Sequence, residues 1–349
     1  MDPLFEKWAD EGKISPSAYS YLTGEGPACN SLTAQDGSSK ISVLISTYKR
    51  PAYLVRLLNS IRIQQYDNYE IIIVDDASDD DTGEKVKQFK EENPDINVIY
   101  LVNEQNAGAG ESRKRAYLKA TGDVIIFVDD DDYYIEPAYF SMLNTIYETH
   151  SDCTMTVSDT IQHTEGENRY EYRGLNTPRA VSNREYLNGF GDKYTMPSIL
   201  AVSFKSTLLS SVHYEELLCF NHISLLLYAM LGEENVYTMN QAVGIRTFHT
   251  GNMTGNTTAE FIVANMESKE DIYHRAMAAG LLDSPKEWHY RHLSGTAGYH
   301  FANNQKVTAN DKIIFSWMKN HFERADYYSF VAKIVKTRIR RWLRVHFGF

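Results

Sequence analysis

From Ile41 onward the chain alternates short, β-branched apolar runs with helical patterns, and this alternation limits it to one kind of architecture. Ile41–Ile45 is followed by Leu54, Leu57, Leu58 and Ile61 at helical spacing. Glu70–Val74 is a second apolar run, and a polar helix near Thr82–Glu92 is closed by Asn93-Pro94. Asn97–Val102 reads as a third strand, Glu111–Ala120 as a helix and Val124–Val128 as a fourth strand. Strands that are apolar throughout are buried on both faces, which requires βαβ units and a parallel sheet covered by helices. The expected class over 41–150 is therefore α/β.

Outside that stretch the pattern loosens. Residues 1–40 read as an appendage, with helical patches at Leu4–Trp8 and Pro16–Leu22 and a polar linker over Ser31–Lys40. Beyond 150, Cys153–Val157 and Tyr170–Tyr172 are expected strands flanking the polar stretch Gln162–Arg169. Ser182 with Glu185 forms a capping box, Ile223–Leu231 is an apolar helix, and Val236–Phe248 suggests a β-hairpin. Helices are expected from Ala259 to the end.

Charge narrows the partners. With 35 Lys and Arg against 46 Asp and Glu the net charge is -11, which argues against nucleic acid. Cys29, Cys153 and Cys219 are far apart, so neither a disulfide framework nor a zinc site is expected, and a reducing cytoplasm suits the chain. The sequons at Asn252 and Asn256 then read as chance matches. Ile223–Leu231 is about half the roughly 20 residues a membrane span needs, and Asp2 and Glu6 stand where a signal peptide would be basic. Residues 331–349 instead hold six Lys and Arg and no acid. There Val331, Ile334, Val335, Ile339, Trp342, Leu343 and Phe347 can form one helical stripe, the pattern of a helix lying on an anionic membrane surface. The alternative is a final helix packed on the domain with a solvated basic face.

In sheets of this kind ligands bind beyond the carboxyl ends of the strands. Those ends read Ser46-Thr47-Tyr48, Asp75-Asp76, Asn103 to Gly110, and Asp129 to Asp132. Polar loops and helix-capping aspartates are common, but four consecutive aspartates repel one another unless a cation sits among them. Oxygen ligands without Cys or clustered His select Mg²⁺ or Mn²⁺. Asn106-Ala107-Gly108-Ala109-Gly110 opens a helix, where amides and dipole favour anions, with Arg113 and Arg115 close behind. It is not a G-x-G-x-x-G fingerprint, which counts against a dinucleotide dehydrogenase. An acidic metal site beside an anion-binding turn is what a nucleoside diphosphate requires.

Four motifs, "VLISTYKRP" (43–51), "EIIIVDDASDD" (70–80), "NAGAGESR" (106–113) and "GDVIIFVDDDD" (122–132), resemble in order and spacing the family 2 glycosyltransferases of GT-A fold. The likeness is close over 41–150 and loose over 195–255. It implies a Rossmann-like, mostly parallel sheet flanked by helices, with a helical C-terminal extension. The expected layout is a GT-A domain at 41–255, with a nucleotide-sugar half at 41–150 and an acceptor half at 151–255, and then a helical region at 256–349. The implied activity is inverting transfer of a sugar from a nucleotide-diphospho-sugar, with a divalent metal, to a saccharide or lipid-linked acceptor. Such an enzyme would work in cell-envelope polysaccharide synthesis, in the cytoplasm or on the inner face of the membrane.

The same resemblance implies roles for residues. Thr47, Tyr48 and Arg50 wrap the base; Asp75 and Asp76 contact base or ribose, and Asp76 is matched to the uracil edge. Asn106, Gly108 and Arg113 serve the diphosphate, and Asp130 belongs with the donor contacts. Asp129 and Asp131 match the D-x-D pair, with His249 of "VGIRTFHTGNMTG" (243–255) as a further metal ligand and Asp132 in the catalytic set. Asn221-His222 stands where the family usually has Glu-Asp, so His222 is the expected general base; Glu215, Glu216 and Asp159 are rivals. Tyr194, Met196 and Ser198 are expected in the acceptor pocket. Two other classes stay open: a non-catalytic GT-A module that binds a nucleotide-sugar or glycan, and a receiver or phosphatase fold.

Overall fold

The apolar runs become the strands β1 (Ile41–Thr47), β2 (Tyr69–Asp75), β3 (Asn97–Val102) and β4 (Val124–Asp129). β1, β2 and β4 are buried along nearly all their length, whereas β3, at the edge of the sheet, buries Val98 and leaves the rest partly or fully exposed. The computed structural model describes residues 3–24, 38–217, 221–232, 234–249, 258–303 and 311–347, with side chains of the last helix as far as Lys336. Cys29, Cys219, the two sequons and most of the expected linker lie outside the described residues.

The helices α1 (Pro3–Asp10) and α2 (Pro16–Thr23) come first, and α3 (Pro51–Arg62), α4 (Thr82–Glu92) and α5 (Ala109–Tyr117) follow the first three strands. The chain continues through β5 (Tyr133–Tyr134), α6 (Tyr139–Thr149), β6 (Cys153–Thr164), β7 (Arg169–Arg173), β8 (Ala180–Ser182) and α7 (Asn183–Gly189). Next come β9 (Val202–Lys205), α8 (Ser206–Ser211), α9 (His222–Ala229) and β10 (Asn235–Phe248). The helices α10 (Ala259–Ala278), α11 (Pro285–Asn303), α12 (Lys312–His321) and α13 (Arg324–Phe347) end the described chain.

One mixed sheet runs β3-β2-β1-β4-β9-β6-β10-β5, with β7 on β6 and β8 on β10. β1, β2, β3 and β4 are mutually parallel, and β9 is antiparallel to both β4 and β6. The core lies between this sheet and the helices, where Leu54, Leu57, Leu58 and Ile61 of α3 meet Val43, Ile45 and Ile126.

Val236–Phe248 is not a hairpin. It is one strand, β10, parallel to β6 from Asn235↔Cys153 to Phe248↔Thr164, with register shifts between Met239 and Gly244. The polar pair Asn240-Gln241 falls in this irregular stretch and imitates a turn in the sequence. β6 likewise runs on to Thr164, through residues expected to be a polar connection.

Contacts group the chain into two units, Met1–Glu216 with Gly232–His249, and Leu217–Leu231 with Thr250–Phe349. In the first, α1 and α2 are built into the domain rather than appended. Phe5, Trp8, Ile14 and Ala18 are buried in a cluster with Ile161 and Ile245, and Phe5 meets Tyr170 edge-on at 5.1 Å. In the second, Met266, Leu293, Ile314, Met318 and Phe330 form the core, and Tyr228 of α9 donates to Asp271 of α10 at 2.8 Å. The expected tail stripe is partly spent here: Ile334 is buried and Val331 packs beside it, while Val335 is half exposed. The stripe's later members, from Ile339 on, lie outside the described side chains. No described helix is long and apolar enough to cross a membrane.

Candidate active site

Parallel register sets the strand ends side by side, with Thr47 opposite Asp75, Ser46 opposite Asp129, and Asp75 opposite Val102. Four loops therefore leave the sheet along one edge. After β4 the chain turns sharply, the Asp132 amide donating to the Asp129 carbonyl at 3.1 Å, and the four carboxylates take different sets of partners. Asp129 accepts from Arg113 Nη2, and Asp130 from Thr47 Oγ1 at 2.8 Å and Arg50 Nη1 at 3.1 Å. Asp131 Oδ2 faces Arg50 Nη1 at 2.9 Å and His249 Nε2 at 3.0 Å, and Asp132 Oδ1 accepts from the Thr247 amide at 2.9 Å.

The ligand atoms of Asp129, Asp131 and Asp132 all lie within 4.8 Å of one another. Burial, reinforced by the neighbouring carboxylates, raises Asp131 and holds Asp132 well above the ordinary range. Burial pushes Asp130 up to about 7 despite Arg50 and Thr47. Buried acids that resist ionising, as Asp131 and Asp132 do, are stabilised by a cation, and with the partly buried Asp129 the three convergent carboxylate oxygens suit the hard ions Mg²⁺ and Mn²⁺. These residues fit such an ion.

Several assignments change. Asp132, expected in the catalytic set, belongs to the convergent acid group and is 3% exposed. Asp130, expected on the donor, is turned into the β1 loop, where it holds Thr47 and Arg50. The buried Thr47 hydroxyl is committed to Asp130 rather than to a base, whereas Tyr48 is 41% exposed at the loop surface.

Asp76 also differs from expectation. It accepts from Asn103 Nδ2 at 2.7 Å and from the Ala107 and Gly108 amides, both at 2.8 Å. The turn expected to hold a ligand anion is thus closed on the protein's own carboxylate. Gly108, at φ 84°, takes the left-handed conformation this closure needs. Asn106 is exposed at the corner. Asp75 accepts from the Ser78 amide at 2.8 Å and Tyr100 Oη at 2.6 Å, and so braces the next loop. Lys49 and Ala77 hold positive φ values of 55° and 64° in the two loops, which are tied by Lys49 N donating to Ser78 Oγ at 2.8 Å.

Among the base candidates, Asp159 is committed to the β6–β7 pair: Tyr172 Oη donates to it at 2.6 Å and the Leu175 amide at 2.7 Å, and burial raises it. Glu215 and Glu216 are exposed on a short 3-10 turn. His222 opens α9 in the second unit, behind Asn221, whose side chain caps the Ser224 amide at 2.9 Å. Of the expected acceptor pocket, Met196 is exposed, Ser198 is buried, and Tyr194 is a core ring against Tyr186 that donates to Glu185.

A second group was not anticipated from sequence. Arg56 donates to the Asp131 carbonyl at 2.6 Å and Thr247 Oγ1 at 2.9 Å, and its guanidinium lies 4.4 Å from the Tyr133 ring centroid. Tyr53 stacks on His249 at 4.8 Å. The only sequence signal was their i, i+3 spacing at the start of the helix after β1.

Residues 42–217 match the family described as glycosyl transferase family 2, and the chain belongs to that family. An uncharacterized glycosyltransferase of Nostoc sp. is 36% identical over 110 residues, 32% of this chain and 33% of its own length. The poly(ribitol-phosphate) β-N-acetylglucosaminyltransferase TarS of Staphylococcus aureus is 34% identical over 116 residues, 32% of this chain and 20% of its own length. This chain thus spans a third or less of the length of those two relatives. A crystal structure of S. aureus TarS in complex with UDP-GlcNAc superposes with a TM-score of 0.63 at 18% identity, covering 86% of this chain and 89% of that one. The shared architecture is the mixed α/β sheet flanked by helices, with a helical C-terminal region.

Proposed function

We propose that the chain is a metal-dependent, inverting glycosyltransferase that takes a sugar from a nucleoside diphospho-sugar, with UDP as the nucleotide, to a hydroxyl of a saccharide or lipid-linked acceptor. The observation that carries this is the convergence of Asp129, Asp131 and Asp132 at the end of β4, between Arg113 and Arg50. The UDP-GlcNAc held by TarS supports the donor class, and the polymer in that relative's name supports an acceptor in cell-envelope polysaccharide synthesis.

A divalent ion held by the three carboxylates, with His249 beside Asp131, would offset the charge of the departing diphosphate. Arg113 pairs with Asp129 and Arg50 with Asp130 and Asp131, so both guanidiniums stand beside the acids, where they would be available to a diphosphate. Tyr48 offers its exposed face to the base. The acceptor hydroxyl attacks the anomeric carbon as its proton passes to a base, which we assign to His222. An imidazole is the side chain most often used to take such a proton, and His222 stands at the first position of α9.

Release of UDP from UDP-sugars, measured with Mn²⁺ and a panel of saccharide acceptors, tests the reading. Acceptor-dependent release supports it; donor binding without release under any acceptor supports the non-catalytic module instead. His222→Ala should lose transfer and keep donor affinity, and near-normal transfer would move the base to Glu215 or Glu216.

We also place the chain in the cytoplasm, peripheral to the inner face of a membrane, through the six cations of 331–349. Full-length protein should float with anionic liposomes and a variant with those cations changed to Gln should not.

A further inference from the structure

The parallel pairing of β6 and β10 ends at Phe248 opposite Thr164, so His249 and Glu165 leave the sheet side by side. Glu165 opens the 3-10 turn that leads into β7, well away in sequence from every motif discussed above. It nevertheless touches both residues that frame the acid cluster. Tyr53 Oη donates to Glu165 Oε2 at 2.6 Å, and Arg56 Nη1 lies 3.3 Å from Glu165 Oε1. Tyr53 in turn stacks on the His249 ring, 18° from parallel, while His249 Nε2 reaches Asp131. Arg56 fixes the same aspartate from behind through its backbone carbonyl, and holds Thr247, whose amide binds Asp132.

We infer that Glu165, acting through Tyr53 and Arg56, is the positioning residue that sets His249, Asp131 and Asp132 for a divalent cation, so that the tip of the β6–β7 hairpin governs how tightly the site holds it. The inference rests on the proposed cation site and adds a residue that touches neither cation nor donor. Groups that orient the ligands of a metal site commonly change its affinity by about 10–100-fold when removed. Supporting chemistry is in place: burial alone would raise the Glu165 carboxyl, but the Tyr53 hydrogen bond and the Arg56 charge hold it below the usual range. It therefore remains the anion that both partners need.

The test is a titration of the metal-free full chain with Mn²⁺ alone, followed by electron paramagnetic resonance. Thermal midpoints of the metal-free proteins are recorded in parallel. Tyr53→Phe keeps the stack on His249 and removes only the hydroxyl; Glu165→Gln keeps the shape and removes the charge. Each should weaken Mn²⁺ about tenfold with an unchanged midpoint, and Asp131→Asn should abolish binding. Wild-type affinity in both variants, with binding lost in Asp131→Asn, overturns the positioning role and leaves the cation site standing. Weakening that merely follows a lowered midpoint in both variants also overturns it. Wild-type protein that takes up no Mn²⁺ removes the site and the inference together. If Glu165→Gln does not fold, Tyr53→Phe decides alone.

Discussion

A buried carboxyl that prefers its proton makes folding depend on pH in a definite direction, and Asp130 is the clearest case. Burial raises it from an ordinary 3.8 to about 7. Between those values the native carboxyl keeps a proton that the unfolded chain has released. Stability must then fall as pH rises from about 4 to about 7, by up to ~1.4 kcal/mol per pH unit, and level off above. Urea denaturation in EDTA should show this slope in the wild type and a flatter one in Asp130→Asn; equal slopes would contradict the assignment. Asp76 leads to a different expectation. Asp76→Ala strips the acceptor from two amides and Asn103, and should cost ~1–3 kcal/mol as well as UDP affinity. Arg113→Ala should lower UDP affinity with a smaller loss of stability; calorimetry and denaturation on the same samples separate the two. The acids of the site, with Arg50 and Arg113, were legible because the chemistry needs those residue types; Arg56 was not, since it acts through the Asp131 carbonyl and Thr247. The facings of the acids were not, because a sharp turn gives Asp129, Asp130, Asp131 and Asp132 different partners, which spacing cannot give.

At the level of elements, β10 determines how the site is closed. Its carboxyl end delivers Thr247 and His249 to an acid run more than a hundred residues earlier in the chain. Gly244 sits where β10 passes β5: a Cβ there would lie 2.1 Å from Leu200 Cδ1 and 2.9 Å from the Tyr133 carbonyl. The Leu200 methyl can swing away but the carbonyl cannot. Gly244→Ala should therefore cost about 1–3 kcal/mol by thermal denaturation and weaken Mn²⁺ binding through the displaced strand end. An unchanged melting point would show that β10 tolerates the methyl. β1, β2 and β4 were readable because strands buried on both faces are apolar throughout, and the edge strand β3 because its run of β-branched and apolar residues is bounded by Pro94 and Asn103. β10 was not, because its parallel partner β6 lies some eighty residues away and Asn240-Gln241 breaks its pattern.

For the molecule as a whole, the acid cluster, both arginines and the Asp76-closed turn all lie within the first unit, from elements between β1 and β10. Donor and cation binding should then survive changes confined to the second unit, among them His222→Ala, while transfer does not. The family was legible because four motifs fall in order at four neighbouring strand ends. The acceptor was not, since of the residues expected to line its pocket Tyr194 proves to be a core ring, Ser198 is buried and Met196 is exposed. The central claim is that the acid cluster and a nucleoside diphosphate share one divalent ion. Calorimetric titration of UDP into the full chain tests it most directly, with Mn²⁺, with EDTA, and with Asp131→Asn in Mn²⁺. The account predicts binding in the first case and a loss of at least tenfold in the other two. UDP affinity that is the same in all three, or absent in all three, would contradict it.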